Sequence, residues 1–328
     1  MDCIFYSGTL WIVFHAKKSR GFIMANKRKK GEVTTQQIVL LIILIVSFIV
    51  ILFLLFRLNL GKTTEEEACH NSVVTRGAGV LPKDAIPLNC KTKYICISKD
   101  GTCEEMDNSE IIKAQTKTEV YSVLAEKMSD CWWMFGEGKL NYVGNTFKSN
   151  LYCSLCSQIA FDNSLDIFQG RTIGKKDFYT YLSKTNISGK DISYLDYLVG
   201  IKNADDIENN LKTNNADFGV INLDKQQYIM MGIYSQVGIA GWVIAGAGAG
   251  GVIAVALVLS PLTGGASLIT ASGIIMVNSG IIGGGVGSYF LGTYIKGESG
   301  QEYMTPSIVE ASQSEYEKLQ CASIKTLA

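Results

Sequence analysis

Cys153 and Cys156 stand in the C-x-x-C arrangement, which forms a redox pair when it opens the helix of a thioredoxin-like unit, where the helix terminus stabilises a thiolate. The same spacing makes half of a zinc ribbon, but that site needs a second close cysteine pair, and the chain has none. Ser157 to Phe161, just beyond, read as strand rather than helix, so structural bridging is expected ahead of thiol exchange or metal binding. His70 is the one histidine beyond the first 23 residues, and no Ser/His/Asp set, paired-carboxylate motif, P-loop or H-E-x-x-H is present. No catalytic residue, metal or cofactor is therefore assigned, and His70, next to Cys69, is expected to be a solvated surface residue. Asn186, Ile187 and Ser188 spell a glycosylation acceptor, a short pattern that also arises by chance.

The chain has nine cysteines. Cys69, Cys90, Cys96, Cys103, Cys131, Cys153 and Cys156 lie centrally, and Cys321 near the C-terminus completes an even set of disulfide candidates. Cys321 is expected to be tied to the central domain.

These residues need elements to position them. Thr116 to Glu119 form a capping-box pattern opening a helix, on which Val120, Leu124, Met128, Cys131 and Phe135 share one face, with Gly136 and Gly138 as stops. Cys131 then belongs to the core. Trp132 and Trp133 differ by about 100° around such a helix, so both cannot occupy the same buried face. Tyr94 to Ile97 read as strand. Phe178, Tyr181 and Leu182, then Ile192, Leu195 and Leu198, read as two short amphipathic helices. Phe218 to Leu223 and Tyr228 to Tyr234 read as a hairpin turning at Asp224 and Lys225. The mixed periods imply an α+β domain.

Charge sets the expected topology. Formal net charge is zero, which gives no electrostatic reason to expect nucleic acid as a partner. Seven Lys or Arg nevertheless crowd between Lys17 and Lys30, while the 70 residues from Gln226 to Ile295 contain no ionisable Asp, Glu, Lys, Arg or His. From Ile38 to Phe56 run nineteen residues of which only Ser47 is polar, about the length that crosses a bilayer core. The positive-inside rule then places 1–37 in the cytoplasm, 38–56 in the membrane and the disulfide-supported α+β domain, 57–236, outside. Translation from Met24 is an economical reading of the first 23 residues.

Two apolar stretches follow, 237–259 and 268–291, separated by a turn at 260–267. Small residues recur every fourth position, at Gly246 and Gly250 and again at Gly280, Gly284, Ser288 and Gly292, as in tightly packed membrane helices. The expectation is a Gly-rich transmembrane helical hairpin and an extracytoplasmic tail over 292–328.

Lys29, Lys30 and Gly31, followed by Glu32, Thr34, Gln36 and Leu40, resemble an archaeal class III, prepilin-like signal; the resemblance implies processing between Gly31 and Glu32. An uncleaved signal anchor shares this charge pattern. The basic KKGE start, the single helix, CWWMFGEG at Cys131–Gly138, YCSLC at Tyr152–Cys156 and the apolar C-terminal region together resemble uncharacterised membrane proteins of DPANN-type archaea. That resemblance implies a cell envelope and supplies no activity. The functions expected are, in order, a non-enzymatic envelope protein binding or organising other surface components, an oligomeric pore or membrane-remodelling protein self-associating through the hairpin, and an extracytoplasmic thiol oxidoreductase. The lipid bilayer and other envelope proteins are the expected partners.

Overall fold

The computed structural model describes residues 35–57, 64–79, 86–143, 150–235, 253–258, 271–282, 285–298, 300–312, 319 and 321–323. Contacts divide the chain into two units, Met1–Gly61 and Lys62–Ala328. In the first, helix α1 runs from Thr35 to Arg57. Its aliphatic side chains from Ile38 to Ile51 are all exposed, Leu40 at 64 % and Ile43 at 61 %. Among the described residues, no helix is long and apolar enough to cross a membrane.

The second unit is an α+β domain. Helix α2, Glu65–Gly77, opens with a capping box in which Thr64 and Glu67 satisfy each other's backbone N–H groups, and three glutamates in its first turn suit the positive end of the helix dipole. Cys69, Val73 and Arg76, at helical spacing, are its buried face. Strands β1, Lys93–Ser98, and β2, Glu110–Lys113, precede α3, Lys117–Met134, which carries the expected capping box at Thr116 and Glu119 and buries Val120, Leu124, Met128 and Cys131. Then come β3, Asn150–Phe161, a 3-10 turn at Gln169–Arg171, β4, Thr172–Gly174, and three short helices: α4, Lys175–Lys184, α5, Tyr194–Val199, and α6, Ala204–Thr213. The remaining strands are β5, Ala216–Asp217, β6, Val220–Asn222, β7, Gln227–Ser235, β8, Ile253–Val258, β9, Ala271–Ile282, β10, Gly285–Lys296, β11, Glu302–Glu310, and β12, Ala322–Ser323.

One mixed sheet runs β2-β1-β3-β7-β11-β10-β9-β8, with β12 beside β3 and β5 beside β10; β4 and β6 form a separate pair. The β2-β1-β3 and β12-β3 pairings are parallel, while β3-β7-β11-β10-β9-β8 is antiparallel throughout. Strands β7 and β11 are buried nearly end to end, so neither alternates apolar with polar. One face of β7, Ile229, Met231 and Ile233, joins the large core under the helices; the other, Met230 and Tyr234, joins a second cluster with Leu151, Cys153, Ile275, Leu291, Tyr294, Met304 and Val309.

Register shifts in β3, β10 and β11 reverse which parity faces the helices: Phe290 and Ile295 of β10 lie in the same core although one is even and the other odd. Pro306 falls inside the shift of β11 between Met304 and Ser307, where a residue without an N–H breaks no ladder bond.

Three sequence expectations are corrected here. Where transmembrane helices were expected over 237–259 and 268–291, the described residues 253–258, 271–282 and 285–296 are strands; the rest of the first stretch and the 260–267 turn lie outside the described residues. Strands covered on both faces read as continuous apolar runs, which periodicity alone does not distinguish from buried helix. The expected tail over 292–328 instead supplies β11, which sits between β7 and β10 inside the sheet. Finally, β6 and β7 do not pair as a hairpin: β6 joins β4 and β7 joins β3 and β11, since Gln227–Ser235 is apolar enough for a central position.

Candidate functional site

All eight described cysteines are bridged, as Cys69–Cys90, Cys96–Cys103, Cys131–Cys156 and Cys153–Cys321. The C-x-x-C pair does not close on itself. On a strand, residues three apart point to opposite faces, so Cys153 lies in the second cluster while Cys156, at the register shift of β3, reaches Cys131 on α3. A helix would have put both thiols near one end, but β3 separates them, and neither is available as a thiolate. The thioredoxin-like reading loses its geometry here.

The motif Cys131–Gly138 joins α3 to β3, β11 and α2. Cys131 ties α3 to β3, and Trp132, 1 % exposed, meets the edge of Tyr303 on β11 at 6.1 Å. Trp133, half-buried, stacks on His70 of α2 with ring centroids 4.2 Å apart. One tryptophan is thus core and the other lies at the domain's margin, as their 100° separation requires. His70 is no free surface residue: its Nδ1 lies 2.8 Å from the Trp133 carbonyl, so that nitrogen carries the proton and donates to the C-terminal end of α3. Gly136, Glu137 and Gly138 all have positive φ, at 80°, 53° and 74°, and turn the chain so that the Gly136 and Glu137 N–H groups donate to the Trp133 and Trp132 carbonyls. A methyl at Gly297 would sit 1.9 Å from the Gly138 carbonyl oxygen, so the strand end approaches this turn as only glycine allows.

Glu137, the non-glycine in that turn, accepts from the Tyr197 hydroxyl at 2.6 Å and pairs with Lys139 at 2.5 Å. Burial pushes its carboxyl up, but these two partners prevail and hold it below the usual glutamate value. Burial, with the Glu137 carboxylate as acceptor, raises the Tyr197 phenol well above its ordinary value. Opposite shifts in one hydrogen bond are consistent: the carboxylate keeps the charge and the phenol keeps the proton.

A second polar centre lies where the sheet forks. β10 pairs β11 only through Tyr294–Lys296, and farther along its Ser288 and Tyr289 pair with β5 instead. A cavity of about 270 Å³ opens in the fork, lined by Lys175, Gln227, Leu291, Ile308, Val309 and Glu310 among others. Side chains replace the missing ladder bonds. Lys175, buried at the first turn of α4, donates to the Phe290 carbonyl at 3.0 Å; the Thr305 hydroxyl donates to the Thr293 carbonyl at 3.3 Å, and Ser307 to the Thr305 carbonyl at 2.9 Å. The Gln227 carboxamide donates to the Asn222 and Lys225 carbonyls, holding the turn before β7. Lys175 and Gln227 are thus turned to the protein's own backbone carbonyls. Among the described residues no group of three His, Cys, Asp or Glu could hold a metal ion.

Of the remaining sequence candidates, Gly31, Glu32, Gly246, Gly250 and Gly284 lie outside the described residues. Gly280 is on β9, and Ser288 and Gly292 on β10, so their fourfold spacing is not a helix seam. Gly292 does serve close approach, though between strands: an added methyl would lie 2.0 Å from the Ser307 hydroxyl oxygen. Sequence reasoning missed Lys175, Arg76 and Glu137. Arg76, buried in α2, donates to the Tyr142 and Ile86 carbonyls at 2.7 and 2.9 Å and so ties two loops to that helix. Thr64-x-x-Glu67, the pattern already recognised at Thr116, was the available signal for α2. No protein-family model, curated protein or solved structure matches this chain.

Proposed function

We propose that this chain is a membrane-anchored, non-enzymatic envelope protein whose disulfide-braced α+β domain stands outside the cytoplasm and binds or organises another surface protein. The observation that carries the reading is the pairing of two features. Four disulfides suit an oxidising compartment. Helix α1, 23 residues long, would extend about 35 Å and exposes aliphatic side chains all around, which lipid accommodates and water does not. Lys27 to Lys30 before it orient the anchor with its N-terminus inside. Cys153, Cys156, His70 and Lys175 are each engaged by a partner within the domain, so the thiol-exchange reading gains no support from them. The pore reading rested on a helical hairpin that β8, β9 and β10 replace, and it is not retained. The test is alkaline extraction of membranes: the parent should remain in the pellet, while Ile45→Arg/Ile49→Arg, two charges in the middle of α1, should be released or fail to insert. Release of the parent would overturn the anchor.

A further inference from the structure

Asn186 is the one asparagine in the chain with Ser or Thr two residues on, and residue 187 is isoleucine, so the triplet is a complete acceptor. The fold places it well. Asn186, Ser188, Gly189, Lys190 and Asp191 are exposed on the connection between α4 and α5. The base of this connection is fixed: Asn186 bridges Ser193, Ile187 N–H donates to the Ile192 carbonyl, and Tyr194 N–H to the Thr185 carbonyl. Its tip turns through Gly189 at φ 73°. The Asn186 carboxamide makes only a long hydrogen bond, 3.4 Å to the exposed Asp191, and the Ser188 hydroxyl makes none to another described residue. A bulky substituent on Nδ2 would therefore extend into solvent without disturbing the core beneath, where Leu182 and Leu195 are fully buried. Asn163 is similarly exposed, but Leu165 stands where a hydroxyl is required, which makes it an internal control.

We propose that Asn186 is an N-glycosylation site, carrying a glycan on the exposed α4–α5 connection. This inference rests on the domain standing outside the cytoplasm. The donor is a glycan linked to a polyprenyl phosphate or diphosphate. The bond between the sugar's anomeric carbon and the phosphate oxygen breaks, and the oxygen keeps the electron pair. The anomeric carbon then bonds to Asn186 Nδ2, whose lost proton passes through solvent to balance the charge of the released phosphate, and nothing is oxidised or reduced. Peptide mass mapping of the full chain, recovered from the membranes of a cell with an oligosaccharyltransferase in its envelope or secretory compartment, tests it. The peptide containing Asn186 should carry a sugar mass, retained in Ser188→Thr and lost in both Asn186→Gln and Ser188→Ala, while the Asn163 peptide stays unmodified. Ser188→Ala keeps the asparagine, so its loss of the sugar does not depend on how Asn186→Gln folds. The same digest without reductant reports Cys153–Cys321. An unmodified Asn186 in molecules with that bridge closed would overturn the glycosylation site alone; an unmodified Asn186 with the bridge open would overturn the site together with the extracytoplasmic reading.

Discussion

The four bridges close loops of very different length, and that difference is measurable. Cys153 and Cys321 are 168 residues apart, against 25 for Cys131–Cys156, 21 for Cys69–Cys90 and 7 for Cys96–Cys103. Opening a bridge restores chain entropy to the unfolded state in proportion to the logarithm of loop length, about 5 kcal/mol for the longest loop and about 2 kcal/mol for the shortest. The other three bridges do not shorten the path from 153 to 321, so the long-loop figure stands. At roughly 2–4 °C per kcal/mol for a domain of this size, a Cys153→Ala/Cys321→Ala variant should melt about 10–20 °C below the parent, and a Cys96→Ala/Cys103→Ala variant about 4–8 °C below it. Paired alanines avoid leaving a free thiol to exchange. They also remove two sulfur atoms in each case, so packing loss largely cancels in the comparison. The assay is thermal unfolding of the oxidised full chain in detergent, followed by circular dichroism. Equal losses in the two variants, or a larger loss for the short loop, would refute this reasoning, because loop length is the feature in which the two bridges differ most.

Other substitutions probe the junction at the end of α3. Trp132→Ala should cost about 3–5 kcal/mol in denaturant unfolding, whereas Trp133→Ala, which loses one stacked contact with His70, should cost about 0.5–1.5 kcal/mol. Gly297→Ala should destabilise by about 1–3 kcal/mol because backbone must move away from the new methyl, while Gly174→Ala, which meets nothing closer than 3.4 Å, should stay within about 1 kcal/mol. The depressed Glu137 carboxyl contributes stability that is full above its unfolded value, 4.5, and is lost as pH falls through the lower folded value. Glu137→Gln should therefore flatten that part of the stability profile below pH 4.5, and an unchanged slope would count against the Tyr197 and Lys139 contacts.

Local patterns were legible in the sequence where one physical rule decided them. The capping box at Thr116, the buried stripe from Val120 to Phe135 and the divided burial of Trp132 and Trp133 all follow from helix geometry, and the structure shows each. The even cysteine set also pointed to bridging, and Cys321 is tied to the central domain, although through a sheet that includes the C-terminal strands rather than through membrane crossings. The Gly-rich region was misread because its signal is degenerate. Ile274, Ile275, Met276, Phe290 and Leu291 are buried on both faces of a sheet, so they show neither strand alternation nor a helical stripe. Register shifts add to this by moving a strand's core face from odd to even positions partway along, as at Leu291. Lys175 and Glu137 were invisible for another reason: the Phe290 carbonyl and the Tyr197 hydroxyl that they meet lie 115 and 60 residues away in sequence.

Outward display of the domain on an anchored helix is tested most directly by a membrane-impermeant amine label applied to intact cells and mapped by mass. Lys117, Lys190, Lys202 and Lys212 are exposed on the domain, and Lys27, Lys29 and Lys30 lie on the N-terminal side of α1. The four domain lysines should be labelled without lysis, and the three N-terminal lysines only after it. Domain lysines protected until lysis, with the N-terminal ones labelled from outside, would contradict the account.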